Sequence, residues 1–463
     1  MQNMKNLDTI AAISTPIGFG GIGVIRISGK LVTSVIIPII LGKLLKPRQA
    51  EYISFKDIQG KILDQGIAIF YPSPNSFTGE DVLELQGHGS PMVLDILLQN
   101  IVSFSGVRVA HPGEFSERAF LNNKIDLTQA EAIIDLIYSE SIQCSRLAIQ
   151  SVLGSFSSCI NKLIKKISTI RTNIEGIINF PEDDVLKYTK HDITNDLQKL
   201  IDDFHKIYCE VKIVRVFREG IKIVIAGEPN VGKSSLFNVL TKNDNAIVTA
   251  CAGTTRDVLC KKIYINGIPL HIMDTAGLCN DISNEINRIS LQRSLLAINN
   301  ADYVLFVVDS QKISLPMTNI LKIQFLSHVP KNIPTLIIRN KSDLTNEKPE
   351  RYNIQNYPCI TISTKLNHGI FLIQQYLKEQ ITSNMCLKNF QGKFLVRKRH
   401  VHALHSAKKH LLQIAKYLDN PFSFDELISE ELYATQKILS KIIGKFNSND
   451  LIKKVFSTFC IGK

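Results

Sequence analysis

The segment Gly227–Ser234 has the residue types and spacing of a phosphate-binding loop, with glycines at both ends of the turn and then Lys233 and Ser234. Such glycines let backbone N–H groups close around phosphate oxygens, and the dipole of a following helix favours negative charge. Lys233 would neutralise the β- and γ-phosphates of a nucleotide, and Ser234 would bind Mg²⁺. The motif requires a strand before it and a helix after it, and the runs Ile221–Ala226 and Ser235–Leu240 satisfy both conditions.

Three later segments extend this loop into a guanine-nucleotide site. Asp274, which begins the run ending at Gly277, follows a strand-like run and can hold Mg²⁺ through water. Asp343 can accept two hydrogen bonds from guanine donors that adenine lacks, so it would select GTP over ATP. The predicted GTP contacts are Asn230, Val231, Gly232, Lys233, Ser234, Ser235, Thr249, Ala250, Cys251, Ala252, Gly253, Thr254, Thr255, Asp274, Thr275, Ala276, Gly277, Asn340, Lys341, Ser342, Asp343, Ser363, Thr364 and Lys365.

The catalytic device of this site differs from that of many small GTPases. Leu278 stands where those proteins carry a water-orienting Gln. Asn230 and the stretch Thr249–Thr254 offer oxygens near the phosphates, which could hold a monovalent cation in the place of an arginine finger. The alternative for Asn230 is a local turn cap. Thr255 would join the Mg²⁺ shell in the GTP state, so Lys233 and Thr255 are predicted to take part in catalysis.

Four regions of the chain must position these groups. Residues 1–120 carry short strand-like runs at 22–27, 66–71, 81–86 and 107–110, separated by turn residues, which predicts an α+β domain. Helical spacing dominates 121–218, and strands alternate with helices over 219–382, as in a doubly wound parallel sheet. Helical spacing returns over 383–463. The predicted fold is therefore multidomain α/β, with an all-α domain interrupted by the α/β domain; two separate helical domains are the alternative.

Composition narrows the class of protein. The chain has 463 residues, 44% of them hydrophobic, which suits about three globular domains. A net charge of +12 favours a polyanionic partner such as nucleic acid, although a Lys-rich composition alone would also produce it. Nine scattered cysteines argue against a disulfide framework. The most apolar stretch, Val32–Leu41, is about half a membrane span. We therefore expect a cytoplasmic protein with no membrane segment.

Two other motifs are rejected at this stage. Gly18, Gly20 and Gly23 match a dinucleotide-binding pattern, but a strand follows them instead of a helix. Four histidines lie close together near residue 400, and their spacing does not put three on one helical face, so a solvated basic helix is favoured over a metal site. These histidines are His400, His402, His405 and His410.

Motifs outside the nucleotide site carry a resemblance to a known family. They are Gly20–Gly29, Pro74–Asp81, Glu84–Gly89, Pro112–Ala119, Arg397–His400 and Phe459–Lys463. With the embedded GTPase segments, they make the chain resemble the MnmE (TrmE) family of tRNA-modification GTPases nearly end to end.

The resemblance implies an activity and its partners. Members act with a flavin-dependent partner, MnmG, in a heterotetramer that adds a carboxymethylaminomethyl group to carbon 5 of the wobble uridine of certain tRNAs. Their N-terminal domain binds a tetrahydrofolate derivative (5-formyl or methylene form) and forms a homodimer. Their GTPase domain is activated by K⁺, and the two GTPase domains of a dimer meet when GTP is bound.

The resemblance also assigns residues. Its folate contacts would be Arg26, Glu84, Lys124 and Lys463; its K⁺ ligands Asn230, Thr249, Cys251 and Thr254; and its Mg²⁺ ligands Ser234 and Thr255. Cationic side chains suit the carboxylates of folate, and a Glu can accept from the N–H donors of a pterin. Cys460 would lie near the folate, either as a reactive thiol or as a small buried hydrophobe.

One position departs from the family pattern. Asn287 stands where members carry a Glu that positions the attacking water, and Glu285 would lie about 200° around a helix from it. We therefore expect a measurable but slow GTPase, with Asn287 at the doubtful catalytic position. Two rival functions remain open at this point: an RNA-binding ribosome-assembly GTPase switch, and an interaction protein whose GTPase has decayed.

Overall fold

The computed structural model describes most of the chain in two compact units. The described residues are 8–179, 190–241, 259–265, 267–274, 292, 294–311, 329–330, 333–354, 357–384, 393–418, 425–445, 452, 455–460 and 462. The first unit combines residues up to Tyr138 with Ile149–Phe204 and the part from His402 onward, and the second combines Ser139–Ala148 with His205–Val401.

The first unit contains a six-stranded sheet with the order β3-β4-β5-β2-β1-β6. Its strands are β1 (Thr9–Ile13), β2 (Gly20–Ser28), β3 (Glu51–Lys56), β4 (Ile62–Tyr71), β5 (Val82–Gly89) and β6 (Val107–Val109). All pairings are antiparallel except that of β1 with β6. β2 begins at Gly20, which agrees with the rejection of a dinucleotide site there. β1 escaped the sequence prediction because it is buried on both faces and so shows no apolar–polar alternation.

Helices complete both units. A π-helix spans Val32–Leu41 and packs with α1 (Pro91–Val102) over the sheet of the first unit. Ile36 and Ile40 of the π-helix and Leu97 of α1 belong to the hydrophobic core of that unit. The α-helices are α1 (Pro91–Val102), α2 (Glu114–Leu121), α3 (Leu127–Ile137), α4 (Ile142–Val152), α5 (Ser155–Asn179), α6 (Lys190–Glu219), α7 (Lys233–Thr241), α8 (Ser342–Thr345), α9 (Ile370–Asn384), α10 (Lys398–Leu418) and α11 (Asp425–Ile442).

The long helical patterns are interrupted where local chemistry starts a new helix. Asp126 caps α3 by accepting from the backbone N–H groups of Thr128 and Gln129. In return, the side-chain oxygen of Gln129 accepts from the backbone N–H of Asp126. This capping box separates α2 from α3. Gly154, at φ 86°, separates α4 from α5. Apolar spacing alone cannot reveal these breaks, because the pattern continues across them.

The second unit contains a seven-stranded sheet with the order β12-β13-β11-β10-β7-β9-β8. Its strands are β7 (Ile221–Gly227), β8 (Leu259–Ile265), β9 (Ile268–Asp274), β10 (Tyr303–Asp309), β11 (Thr335–Asn340), β12 (Arg351–Ile354) and β13 (Tyr357–Thr361). The five central strands are parallel, as predicted, whereas the edge strands β8 and β12 are antiparallel. Both edges are hairpins, whose short turns require antiparallel strands. The carboxyl ends of the parallel strands meet at one edge.

Among the described helices, none alone is long and apolar enough to cross a membrane. α4 and α5, bent by 47° relative to each other, reach the necessary length and composition only as a pair.

Candidate functional site

The phosphate-binding loop joins β7 to α7, the position that the sequence motif requires. Gly232 has a φ of 94°, and a Cβ added there would lie 2.3 Å from Asn340 Nδ2. This absence of a side chain lets Asn340 donate to the carbonyl of Val231 at 2.8 Å. Asn340 Oδ1 accepts from the N–H of Thr364 at 3.1 Å. Asn340 therefore ties the phosphate loop to both segments that the sequence assigns to guanine.

Lys233 and Asp274 form the charged centre of this edge. Lys233 is 7% exposed and Asp274 is 8% exposed. Burial lowers the pKa of Lys233, against the opposing effect of Asp274, and Lys233 Nζ donates to the carbonyl of Glu228 at 2.7 Å. Burial raises the pKa of Asp274, against the effects of a hydrogen bond from Ser234 and of the Lys233 charge. Both charges are therefore destabilised by their lack of water.

One oxygen of this centre suits a metal ion. Among the described residues, no group hydrogen-bonds Asp274 Oδ1, although the atom is buried. Such a carboxylate oxygen beside the hydroxyl of Ser234 matches the hard oxygen ligands that Mg²⁺ prefers. Asp274 and Ser234 would hold the ion, which would neutralise charge on the phosphates when bound.

The guanine end of the site is assembled from β11, α8 and the segment after β13. Ser363, only 1% exposed, donates to Asp343 Oδ1 at 2.6 Å and so fixes the orientation of that carboxylate. Lys341 has a φ of 68°, and its Nζ lies 2.7 Å from Asp309 Oδ2. The sequence reading missed Asp309, although a carboxylate ending a buried strand at this edge was a usable signal.

A second group of predicted residues lies on the sheet of the first unit. Arg26 on β2 and Glu84 on β5 are cross-strand neighbours. Arg26 Nε and Nη2 both donate to Glu84 Oε1, at 2.9 and 2.7 Å. The Arg26 guanidinium lies 5.7 Å from the ring centre of Phe77. Its Nη1 donates to the carbonyl of Gly462 at 3.5 Å, so Gly462 lies beside this pair.

Lys124 and Cys460 lie in the same unit. Lys124 Nζ donates to the carbonyl of Pro74 at 2.8 Å, in the segment that also carries Phe77. Cys460 is exposed, which contradicts its interpretation as a buried hydrophobe. Its Sγ lies 3.2 Å from the hydroxyl of Tyr138. The sequence reading missed this tyrosine, and no local pattern links two residues 322 positions apart.

Several predicted site residues lie outside the described part of the chain. They are Thr249, Ala250, Cys251, Ala252, Gly253, Thr254, Thr255, Thr275, Ala276, Gly277, Asn287 and Lys463. Their assignments stay predictions.

The rejected histidine cluster is described in full. His400 is 2% exposed, and its Nδ1 accepts from the N–H of Arg397. His410 pairs with Glu431 at 2.5 Å. Within the described ranges, no group of three or more His, Cys, Asp or Glu side chains could hold a metal ion. His402 and His405 are exposed, as a solvated face predicts, whereas the burial of His400 contradicts that prediction for this residue.

Comparisons with known proteins agree along the whole chain. The family model for the GTP-binding protein TrmE N-terminus matches residues 9–124, and that for the MnmE helical domain matches residues 127–460. The tRNA modification GTPase MnmE of Proteus mirabilis is 47% identical over 460 residues, which cover 99% of this chain and 100% of the relative. That of Sodalis glossinidius is 46% identical with the same coverage.

A solved G domain, that of the T. maritima FeoB iron transporter, is 27% identical and covers 35% of this chain and 97% of its own, with a TM-score of 0.27. The family models and the full-length relatives carry the identification. The chain belongs to the MnmE (TrmE) family of tRNA modification GTPases, which confirms the family and the GTP-hydrolase class that its motifs predict.

Proposed function

We propose that this GTPase acts with a flavin-dependent partner of the MnmG type, in a heterotetramer, to add a carboxymethylaminomethyl group to carbon 5 of the wobble uridine of certain tRNAs. The observation that supports the GTP-driven part best is the buried Asp274 oxygen without a described partner, next to Ser234 and Lys233. Because the substrate is tRNA, the proposal places the reaction in the cytoplasm.

Hydrolysis in this proposal depends on K⁺. Asn230 lies in the phosphate loop with a φ of 64°. The residue is exposed, so its side-chain oxygen is not buried in the core. Thr249, Cys251 and Thr254 would complete the K⁺ site, and Thr255 the Mg²⁺ site. A cation held there would stabilise the charge that develops during phosphoryl transfer. Asn287, in place of the Glu of the family, would keep the rate low.

The monovalent cation has a direct test. GTP turnover by the full chain should be faster in KCl than in NaCl at equal ionic strength, and Asn230→Ala should remove the difference. Equal rates in the two salts would exclude the K⁺ site. Asn287→Glu should speed turnover in KCl, and an unchanged rate would remove this position from the mechanism.

The proposed folate site uses Arg26, Glu84, Lys124 and Lys463. The two bonds between Arg26 and Glu84 both go to Glu84 Oε1, and no described residue hydrogen-bonds Oε2, which would accept from the N–H donors of a pterin. Lys124 and Lys463 would meet the carboxylates of the ligand. Cys460, exposed beside Tyr138, would lie near it.

Binding of 5-formyltetrahydrofolate to the full chain, measured by calorimetry, tests this site. Glu84→Gln should weaken binding at least tenfold, because one acceptor is replaced by a donor. Glu51→Gln provides a matched control, since Glu51 is a strand carboxylate of the same sheet paired with Lys43. Equal affinity in wild type and Glu84→Gln would contradict the assignment.

The proposal includes a homodimer of the first unit. Ile17 and Phe19, between β1 and β2, are 101% and 93% exposed, and Ile22, in the exposed start of β2, is 68% exposed. Three large apolar side chains on one short segment are unfavourable in water, which supports burial against a second copy. Replacing Ile17 and Phe19 with Ser should shift the chain from dimer to monomer in analytical ultracentrifugation.

Analysis of tRNA tests the function as a whole. In cells that lack this gene, mass spectrometry of tRNA should show wobble uridines without the group, and the wild-type gene should restore it where Lys233→Ala does not. Unchanged modification in the deleted strain would refute the proposal and favour the ribosome-assembly switch.

A further inference from the structure

The outer face of the β8–β9 hairpin carries a cluster of charged and polar side chains that the nucleotide site does not use. Lys262 and Tyr264 are two residues apart on β8, so their side chains share one face. Glu140 Oε2 accepts from Lys262 Nζ at 2.5 Å and from the hydroxyl of Tyr264. Burial raises the pKa of Glu140, but these two bonds outweigh it and lower that pKa. Glu140 is therefore held in its charged form against the hairpin.

The tip of the hairpin is attached to the same short segment. Ser141 Oγ donates to the carbonyl of Gly267 at 3.0 Å and accepts from the N–H of Cys144 at 3.1 Å. Gly267 has a φ of 77°, and a Cβ there would lie 3.1 Å from the Cβ of Gln143. Glu140 and Ser141 thus hold the hairpin at two points directly before α4 begins, and all these residues lie within the second unit.

The other end of the hairpin belongs to the nucleotide site. Lys262 pairs with His271, and Leu259 pairs with Asp274, so the ion pair of Lys262 with Glu140 lies three residues, or about 10 Å, along the strands from the proposed Mg²⁺ ligand Asp274. Asp274 and His271 are an odd number of positions apart, so their side chains lie on opposite faces. β9 also pairs with β7, which leads into the phosphate loop. A shift of β9 at Asp274 would therefore pass to β8 through the pairing with Leu259, and along β8 to Lys262 and Tyr264, which bind Glu140.

We propose that Glu140 is a positioning residue that couples the nucleotide state at Asp274 to the start of α4. Lys262 and Glu140 are 20% and 32% exposed, so their ion pair is shielded from water more than a surface pair is. α4 continues to Val152, and the chain leaves the GTPase unit within this helix. The inference rests on the proposed role of Asp274 in binding Mg²⁺ and GTP.

Hydrogen exchange of the full chain tests the coupling. Peptides from 139–148 are followed with Mg²⁺ and either GDP or a non-hydrolysable GTP analogue, at saturating concentrations confirmed by fluorescence titration. In wild type, we expect exchange in this segment to differ at least threefold between the two nucleotides. Glu140→Ala should abolish that difference while the affinities for both nucleotides stay within threefold of wild type.

Three variants separate coupling from general stability. Glu140→Gln keeps the size of the side chain and removes its charge, so it should reduce the nucleotide-dependent difference by at least half. Lys262→Met removes the positive charge of the same ion pair and should also reduce the nucleotide-dependent difference by at least half. Glu175→Gln, a helix carboxylate paired with Arg171 in the first unit, should leave the difference unchanged.

The outcomes distinguish this inference from the function on which it rests. Loss of the difference in Glu140→Ala and its reduction by at least half in Glu140→Gln, with nucleotide binding retained, support the coupling. Equal exchange of 139–148 in the two nucleotide states of wild type, with binding to both confirmed, overturns it. Failure of wild type to bind either nucleotide would instead overturn the assignment of the GTP site itself.

Discussion

Asp274 in the GTPase unit and Glu114 in the first unit are both nearly buried carboxylates, yet their surroundings differ in kind. Glu114 is 5% exposed and accepts from Arg108, Arg118 and the N–H of His111. Burial raises the pKa of Glu114, but these bonds outweigh it and bring the pKa to about 2. Asp274 has a raised pKa and one oxygen that no described residue binds.

The difference separates a structural charge from a functional one. Within the first unit, the protein itself supplies the donors that replace water around Glu114, so the charge contributes to folding. At the nucleotide edge, we propose that the missing partner is a ligand, so that the charge would destabilise the empty site and favour the bound one. Substitutions at the two places should therefore have opposite effects on stability.

The largest expected effect is on GTP turnover. Lys233→Ala should lower the rate about 10³-fold, because it removes the cation that faces the phosphates. Release of phosphate under saturating GTP measures the change. Lys222→Ala, at an exposed position on β7, the strand that leads into the phosphate loop, is the matched control and should keep the wild-type rate. A Lys233→Ala rate within tenfold of wild type would contradict the assignment.

Asp343→Asn should have the next largest effect. The variant should bind GTP about 100-fold more weakly, since an amide cannot accept both guanine donors. It should bind xanthosine triphosphate better than wild type does, because xanthine offers an acceptor to the new amide donor. Fluorescence titration measures the affinities of wild type and variant for GTP and for xanthosine triphosphate. Unchanged selectivity would show that Asp343 does not contact the base.

Glu114→Gln should destabilise the first unit by about 2 kcal/mol at pH 7. The folded pKa of about 2 lies below the ordinary value of 4.5, so the contribution is complete above the unfolded pKa. It is lost as pH falls from about 4.5 towards 2. The denaturant midpoints of wild type and Glu114→Gln, followed by hydrogen exchange in α2, should therefore differ at pH 7 and converge at pH 2–3. A constant difference across this range would exclude the charge as its cause.

Asp274→Asn should have the smallest effect, and in the opposite direction. Without nucleotide and with a chelator present, it should stabilise the GTPase unit by about 1 kcal/mol, because a buried charge with a raised pKa disappears. With Mg²⁺ and GTP the order should reverse, since wild type gains binding energy that the variant lacks. Destabilisation in the absence of ligand would show that Asp274 is structural, like Glu114.

The parts of the site that the sequence predicts are those encoded locally. Lys233 and Asp343 lie in short segments with fixed spacing, and each follows a strand that a continuous apolar run marks. Asp309 ends a buried strand, a local signal that the prediction did not use, whereas Tyr138 was missed because it meets Cys460 across the fold and such a contact leaves no local pattern.

The fold shows the same division. The central parallel strands follow from their apolar runs, whereas the antiparallel direction of β8 depends on a turn at Gly267 that hydrophobic periodicity does not encode. The break between α2 and α3 depends on the side-chain hydrogen bonds of Asp126. Strand direction and helix ends are decided by a few polar groups and glycines.

The contact between Arg26 and Gly462 also sets an order in time. The two residues are 436 positions apart, and the ribosome adds about 5–20 residues per second, so they cannot meet until roughly 20–90 seconds after Arg26 is made. The GTPase unit is synthesised within that interval. The pair Arg26–Glu84 therefore acquires its last neighbour only after the nucleotide-binding part of the same chain exists.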